Sequence, residues 1–227
     1  MKVSIVIPCI PKDFNSGDLD KSLCSIKKST ILPNETIVVL SGCNEILQEN
    51  INNFRIKWNL LLNNFRILEY ENIQTCGLNR KLGSLNASNE IIINADADDT
   101  FHPQRIEIFK YFFETTDAVA INHLYIPTFL KFENYDIPSI KFLANSDDIY
   151  RHYFPKNKWT QLSSAEYYGS YLNMTTSDGH MGFRRKILDE VVWDDINTGC
   201  DSFFLHKVCF HYKKNIFLHA CLSKYTK

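Results

Sequence analysis

The chain has 227 residues, 44% of them hydrophobic and 22% charged. That suits one folded domain with a sizeable core and is too short for two large ones. A formal net charge of -1 exerts no long-range pull on polyanions, so composition does not point to nucleic acid as a partner.

Met1 to Pro8 is a short apolar run that ends at a proline and lacks a small-residue cleavage site, so it reads as a strand and not as a leader. No apolar stretch approaches the roughly 20 residues needed to cross a bilayer, and no transmembrane segment is expected. The seven cysteines form no Cys-x-x-Cys pair; an odd, scattered set fits reduced thiols and a cytoplasmic location better than a disulfide framework.

In chain order, Val3 to Ile7 is β-branched and nearly continuous, the pattern of a strand buried on both faces. Pro8, Pro11 and Gly17 then mark a loop. Leu19, Leu23 and Ile26 recur at helical spacing within 19–29, Pro33 closes the connection, and Thr36 to Leu40 is a second strand. A strand-helix-strand opening of this kind builds a parallel sheet and sets the class as α/β.

Glu45 to Asn53 is predicted helical, Asn59 to Leu62 and Arg66 to Tyr70 strand-like, and Gly77 to Ala87 a helix leading into the strand Glu90 to Asn94. Pro103 is expected in the first turn of a helix whose apolar side is Ile106, Phe109 and Phe113. From Leu124 to Thr176 periodicity fades and aromatics accumulate, among them Tyr125, Phe132, Tyr150, Trp159 and Tyr168; most suit a secondary core and a few an acceptor groove. Order returns with a strand through Phe183, helices at 185–191 and 201–212, and a strand from Asn215 to His219.

The chemistry concentrates in Asp96-Ala97-Asp98-Asp99, at the end of an apolar strand and before a helix. Three carboxylates so close repel one another unless a cation or several donors neutralise them. Mg2+ or Mn2+ suits such a site, since these ions take one or two carboxylates together with phosphate oxygens and water. A solvated turn with an Asp capping the next helix is the structural alternative. The position favours a ligand, because α/β sheets bind ligands beyond the carboxyl ends of their strands.

Val3-Ser4-Ile5-Val6-Ile7-Pro8, Ser22-Leu23-Cys24-Ser25-Ile26, Pro33-Asn34-Glu35-Thr36-Ile37-Val38-Val39 and Asp96-Ala97-Asp98-Asp99 with Pro103 and Arg105 occur in this order. In these motifs the chain resembles the family 2 glycosyltransferases of the GT-A fold, strongly over residues 1 to about 110 and more weakly over 177–220. The resemblance implies a single GT-A domain over 1–227 with a Rossmann-like, mostly parallel central sheet flanked by helices. It implies a nucleotide-sugar-binding half (1–122) and an acceptor-binding half (123–227) that carries the aromatic-rich insertion.

It further implies transfer of a sugar from a UDP- or GDP-sugar to the hydroxyl of a glycan, protein or small-molecule acceptor, with inversion and with Mn2+ or Mg2+. By position, Pro8, Cys9 and Ile10 would border the nucleotide, Asn79, Arg80 and Lys81 the base or diphosphate, and Asp96 with Ala97 the ribose or sugar. Asp98, with Asp99, would bind the metal. A fork of donors on Arg and a point charge on Lys both suit a diphosphate.

The chain departs from the family pattern in three places. After the second strand the family's base-reading Asp is missing from Leu40-Ser41-Gly42-Cys43-Asn44, where Ser41 or Asn44 would be the substitute. Asn79-Arg80-Lys81-Leu82-Gly83 stands for the family's Ala-Arg-Asn-x-Gly. Cys200 replaces Glu in the family's Glu-Asp pair, while Asp201 is retained and would be the catalytic base. Gly179-His180-Met181-Gly182-Phe183-Arg184-Arg185 matches the family's glycine loop. His219, with His180 as the alternative, would be the late histidine that serves the metal.

Two other readings compete. A sugar-nucleotide nucleotidyltransferase would need a glycine-rich phosphate loop after the first strand, which Pro8-Cys9-Ile10-Pro11-Lys12-Asp13 does not provide. A catalytically degenerate sugar-nucleotide-binding module is favoured by Cys200 and by the missing Asp.

Overall fold

The computed structural model describes residues 1–126, 178–212 and 214–225. In the first half, strands β1 (Val3–Cys9), β2 (Glu35–Ser41), β3 (Phe65–Tyr70) and β4 (Ile91–Asn94) alternate with helices. These are α1 (Pro11–Asn15), α2 (Asp18–Lys27), α3 (Gln48–Asn59) and α4 (Cys76–Asn86). Beyond them lie β5 (Thr100–Phe101), α5 (Arg105–Thr115), β6 (Ala120–Ile126), β7 (Gly182–Arg184), α6 (Cys200–His211) and β8 (Asn215–Lys224).

The eight strands form one sheet in the order β3-β2-β1-β4-β7-β6-β8-β5. Its first four strands are parallel, and β7 runs antiparallel to both β4 and β6. All seven residues of β1 and all seven of β2 are buried, as central parallel strands covered on both faces require.

Side chains alternate across the sheet with period two. Val3, Ile5, Ile7, Val38, Leu40, Ile91 and Ile93 join one core with α2, α3 and α5, where Leu23, Trp58, Phe109 and Phe113 are buried. Val6, Ile37, Val39 and Ile92 join a second with Phe183, Trp193, Phe204 and Val208. The sheet is thus the middle of three layers, and each of these aliphatic side chains contributes roughly 2 kcal/mol by leaving water.

A carboxylate lies inside the parallel half of this frame. Glu35 is 4% exposed and accepts from Ser4 Oγ (2.6 Å), the Ser88 amide (3.0 Å) and Arg66 Nη2 (2.6 Å). Burial alone would raise its pKa, but these three donors reverse the effect and hold its carboxyl below the usual range.

Some predicted elements change. Asn59 to Leu62 is the end of α3 and a turn, not a strand, because Trp58 is drawn fully into the core and carries the helix with it. Pro103 stands in a turn just ahead of α5, which begins at Arg105. Arg185–Asp189 is a single 3-10 segment. Helix α1 and strands β5 and β6 were not expected; α1 and β5 are too short to show a period, and Ala120 to His123 of β6 are all buried, without alternation. Phe132, Tyr150, Trp159 and Tyr168 of the aromatic stretch lie outside the described residues, and Tyr125 packs against the Tyr225 ring at 5.4 Å.

The strand order reverses between β1 and β4, since β2 and β3 lie to one side of β1 and β4 to the other. The carboxyl ends of these two strands therefore open a crevice, where ligands of α/β sheets bind.

Candidate active site

β1 delivers Pro8, Cys9 and Ile10 to that crevice, and β4 delivers Asp96, Ala97 and Asp98. Together with Cys76, Asn79 and Arg80 of α4 they line an open cleft of about 380 Å3. The acidic residues form a tight turn between β4 and β5, fixed by the Asp99 amide on the Asp96 carbonyl (3.3 Å) and by Ser22 Oγ of α2 on the same oxygen (3.1 Å).

Asp96 is the hub. Arg80 Nη2 donates to its Oδ1 at 2.5 Å, and His180 Nε2 stands 3.4 Å from its Oδ2 and 3.1 Å from Asp99 Oδ2. Arg80, Asp99 and His180 are all buried, and Asp96 is partly open to the cleft. Burial works against charge on Asp96, but Arg80 and His180 outweigh it and hold the carboxyl well below the ordinary carboxylate range. Burial also disfavours an imidazolium at His180, and the two carboxylates override it and raise the pKa.

His180 is held by partners on several elements. Its Nδ1 lies 2.8 Å from Ser223 Oγ on β8, its ring stacks on His123 of β6 at 6.2 Å, and Phe101 of β5 meets it edge-on at 5.2 Å. Arg105, 1% exposed, donates to the His180 carbonyl, to the Asn94 carbonyl (2.6 Å) and to His123 Nε2 (3.1 Å). Burial pushes its pKa down to about 9 against the pull of Asp96 and Asp99, which leaves it charged at neutral pH.

Asp201 converges on the same point from α6. A Cβ on Gly179 would stand 2.8 Å from Arg80 Nη2, 2.9 Å from Asp96 Oδ2 and 3.3 Å from Asp201 Oδ2. Only a glycine lets these three groups close around the loop. The N-cap of α6 is Gly199, at φ 74°, and no side chain caps the helix. Asp201 is its second residue and half-buried, where the helix dipole favours a carboxylate.

Of the residues singled out from the sequence, Pro8, Cys9, Ile10, Arg80, Asp96, Ala97 and Asp98 line the cleft. Asp99 lies behind the turn at 1% exposure. Ser41 is fully buried and accepts from Asn79 Nδ2 at 2.9 Å, so Asn79 stands between it and the cleft. Lys81 is half-buried on α4 and does not line the cleft. His219 lies on β8, and its side chain falls outside the described residues.

Asp96, Asp99 and His180 each offer a ligand atom, all within 4.8 Å of one another, a spacing that could hold a metal ion. This trio differs from the sequence-derived Asp98, Asp99 and His219. Reasoning from sequence missed Arg105, His123 and Ser223 as supports, since their approach to His180 spans 43 to 75 positions of chain.

Residues 4–192 match the family model for glycosyl transferase family 2, and the chain belongs to that family. The fold is similar to that of S. aureus TarS 1-349 in complex with UDP-GlcNAc, with a TM-score of 0.68 at 16% identity over 100% of this chain and 59% of that one. It is also similar to the mannosyltransferase PcManGT from Pyrobaculum calidifontis in complex with GDP-Man and Mn2+ (0.65, 12%, 99% and 56%). A third is glucosyl-3-phosphoglycerate synthase from Mycobacterium tuberculosis in complex with Mn2+, UDP and glucosyl-3-phosphoglycerate (0.58, 12%, 98% and 71%). The likeness to these glycosyltransferases is one of GT-A fold, and the chain spans under two thirds of the first two. A search of curated proteins gave no match. Among the described residues no helix is long and apolar enough to cross a membrane.

Proposed function

We propose that this chain transfers a sugar from a UDP- or GDP-sugar to an acceptor hydroxyl, with inversion and with a bound divalent cation. The observation that carries the reading is the convergence of Arg80, Asp96 and Asp201 on Gly179 at the mouth of the β1/β4 crevice, with His180 bridging Asp96 and Asp99 beside them. Residues 1–122 then form the donor half and residues 123–227 the acceptor half of one transferase domain.

The residues present fit the cation. Two carboxylate oxygens suit Mg2+ or Mn2+, and the imidazole nitrogen favours Mn2+ of the two. Asp96, Asp99 and His180 would hold it, with Asp98 on the cleft wall as a further carboxylate. Bound there, the ion supplies Lewis-acid neutralisation of the departing diphosphate. Arg80 contributes a second positive charge on the same side, held in place by Asp96 and by Cys200 Sγ. Pro8, Cys9, Ile10 and Ala97 border the nucleotide, and Asn79, backed by Ser41, faces the base.

Asp201 is the general base. It accepts the acceptor hydroxyl proton as that oxygen attacks the anomeric carbon from the face opposite the diphosphate. Charge neutralisation and proton removal thus fall to different groups on opposite sides of the displaced bond.

Calorimetry with a set of UDP- and GDP-sugars, with and without Mn2+, tests the donor reading; binding that needs the ion supports it, and none in either condition sinks it. Asp201→Asn should keep donor binding and lose transfer. A binding module without catalysis is the second reading, favoured by Cys200, whose thiol meets Arg80 where the family has a glutamate. Donor hydrolysis by the wild-type chain separates the two.

A further inference from the structure

Two cysteines meet beside the cleft. Cys76 is the first residue of α4 and Cys200 the first of α6, so two helix N-termini aim their amides at one place, an arrangement that favours a thiolate. The two thiols hydrogen-bond to each other, and Arg80 Nη1 donates to Cys200 Sγ at 3.0 Å. Cys76 is half-buried and lines the cleft, whereas Cys200 is 1% exposed.

The chain around them is stitched together. The Gly77 amide donates to the Ile196 carbonyl (3.1 Å), the Cys76 amide to Asn197 Oδ1 (3.2 Å), and Thr75 Oγ1 to the Asp195 carboxylate. A Cβ at Gly77 would stand 1.9 Å from the Asp194 carbonyl oxygen and 3.0 Å from Cys200 Cβ. Glycine at 77 is what lets the start of α6 reach α4.

The bond from Cys76, aided by Arg80 against the effect of burial, brings the Cys200 thiol down to about 7, and the same bond with burial pushes Cys76 up. Thiolate character is therefore favoured on Cys200 and the proton on Cys76. Cys9, in the same cleft, is pushed up by burial and by Asp13 and Asp98, so it is a poorer nucleophile.

We propose that Cys76 and Cys200 form a modification site for peroxides, and that the disulfide they make displaces Asp201 and slows transfer. A thiolate of the pair attacks one peroxide oxygen; the S–O bond forms, the O–O bond breaks, and hydroxide leaves and takes a proton to become water. The second sulfur then attacks the sulfenic sulfur; the S–S bond forms, the S–O bond breaks, and hydroxide leaves with the remaining thiol proton as water. Two thiols and one peroxide yield one disulfide and two waters, with the sulfurs oxidised by two electrons and the peroxide reduced.

Bridging draws the sulfurs from hydrogen-bond contact to about 2.05 Å. Asp201 follows Cys200 directly, so the start of α6 moves with the bond, and a shift of about 1 Å in a catalytic group is enough to slow a reaction by up to about a hundredfold. Reduction by an external dithiol restores the pair.

The test treats the full chain with hydrogen peroxide, blocks remaining thiols by alkylation and maps the products by mass spectrometry. A peptide linking 76 to 200, formed ahead of oxidation at the other cysteines and removed by dithiothreitol, is the expected result. Oxidation of Cys200 to sulfinic acid without the link, or earlier oxidation of other thiols, overturns the proposal. Mn2+-dependent hydrolysis of UDP-glucose and GDP-mannose is measured on the same samples and should fall at least about tenfold on bridging and recover on reduction. Unchanged hydrolysis in bridged protein overturns the displacement of Asp201.

Cys76→Ser and Cys76→Ala should each abolish the link and the peroxide response. This readout rests on the proposed donor chemistry, and the mass map does not. No hydrolysis by reduced protein would count against that chemistry while the map still decides the bridge.

Discussion

The two ends of the sheet are built on different principles. In β3-β2-β1-β4 the interior is mostly aliphatic, and β1 and β2 bury every residue. Across β7-β6-β8-β5 the interior holds Arg105, His123, His180, Asn122 and Ser223, all under 5% exposed and largely tied by hydrogen bonds between elements. The first region is stabilised by burial, which has no direction. The second is fixed by directional bonds, and it is the part that brings His180 to the acidic turn. Apolar packing makes the platform, and a polar network aims the chemistry.

The comparison is sharpest at the turn itself. Asp99→Ala should lower Mn2+-dependent donor hydrolysis about a thousandfold, a loss of about 4 kcal/mol of transition-state stabilisation. Asp98→Ala, on the cleft wall, should lose less. A larger loss at Asp98 would move the cation back to the ligand that sequence position implies.

Ile5→Ala, in the aliphatic half, should cost about 4 kcal/mol of stability in urea titration and leave Mn2+ affinity of the folded protein unchanged. Arg105→Met should cost less stability, about 2 kcal/mol, by leaving buried carbonyls without a donor. It should also weaken Mn2+ binding about tenfold in calorimetry, because His180 loses its support. Equal effects of both variants on Mn2+ affinity would erase the distinction between the halves.

The smallest effect belongs to the buried carboxylate of the aliphatic half. Glu35 has its pKa held below that of an unfolded glutamate, so its contribution is fully present above the unfolded value and is lost as pH falls through the folded one. Wild type should therefore lose about 1 kcal/mol more than Glu35→Gln on acidification across that window, as read from urea midpoints at successive pH values.

Sequence alone carried the platform and half of the site. The β-branched run Val3 to Ile7, the helical spacing of Leu19, Leu23 and Ile26, and the place of Asp96 after an apolar strand are local patterns, legible because each side chain's fate follows from its neighbours a few positions away. They determined a parallel α/β opening and an acidic turn at a strand end. Which acid meets which partner was not local: Asp96 and Asp99 meet His180, and Arg80 meets Cys200, across 81 to 120 positions of chain.

Only the tertiary structure decided that Gly199 caps α6, and that Gly179 leaves room for Arg80, Asp96 and Asp201 to converge. The physical reason is common to these cases: a hydrogen bond or a close approach depends on distance in space, which no period in the sequence encodes, whereas burial of a strand or helix face does repeat with its period.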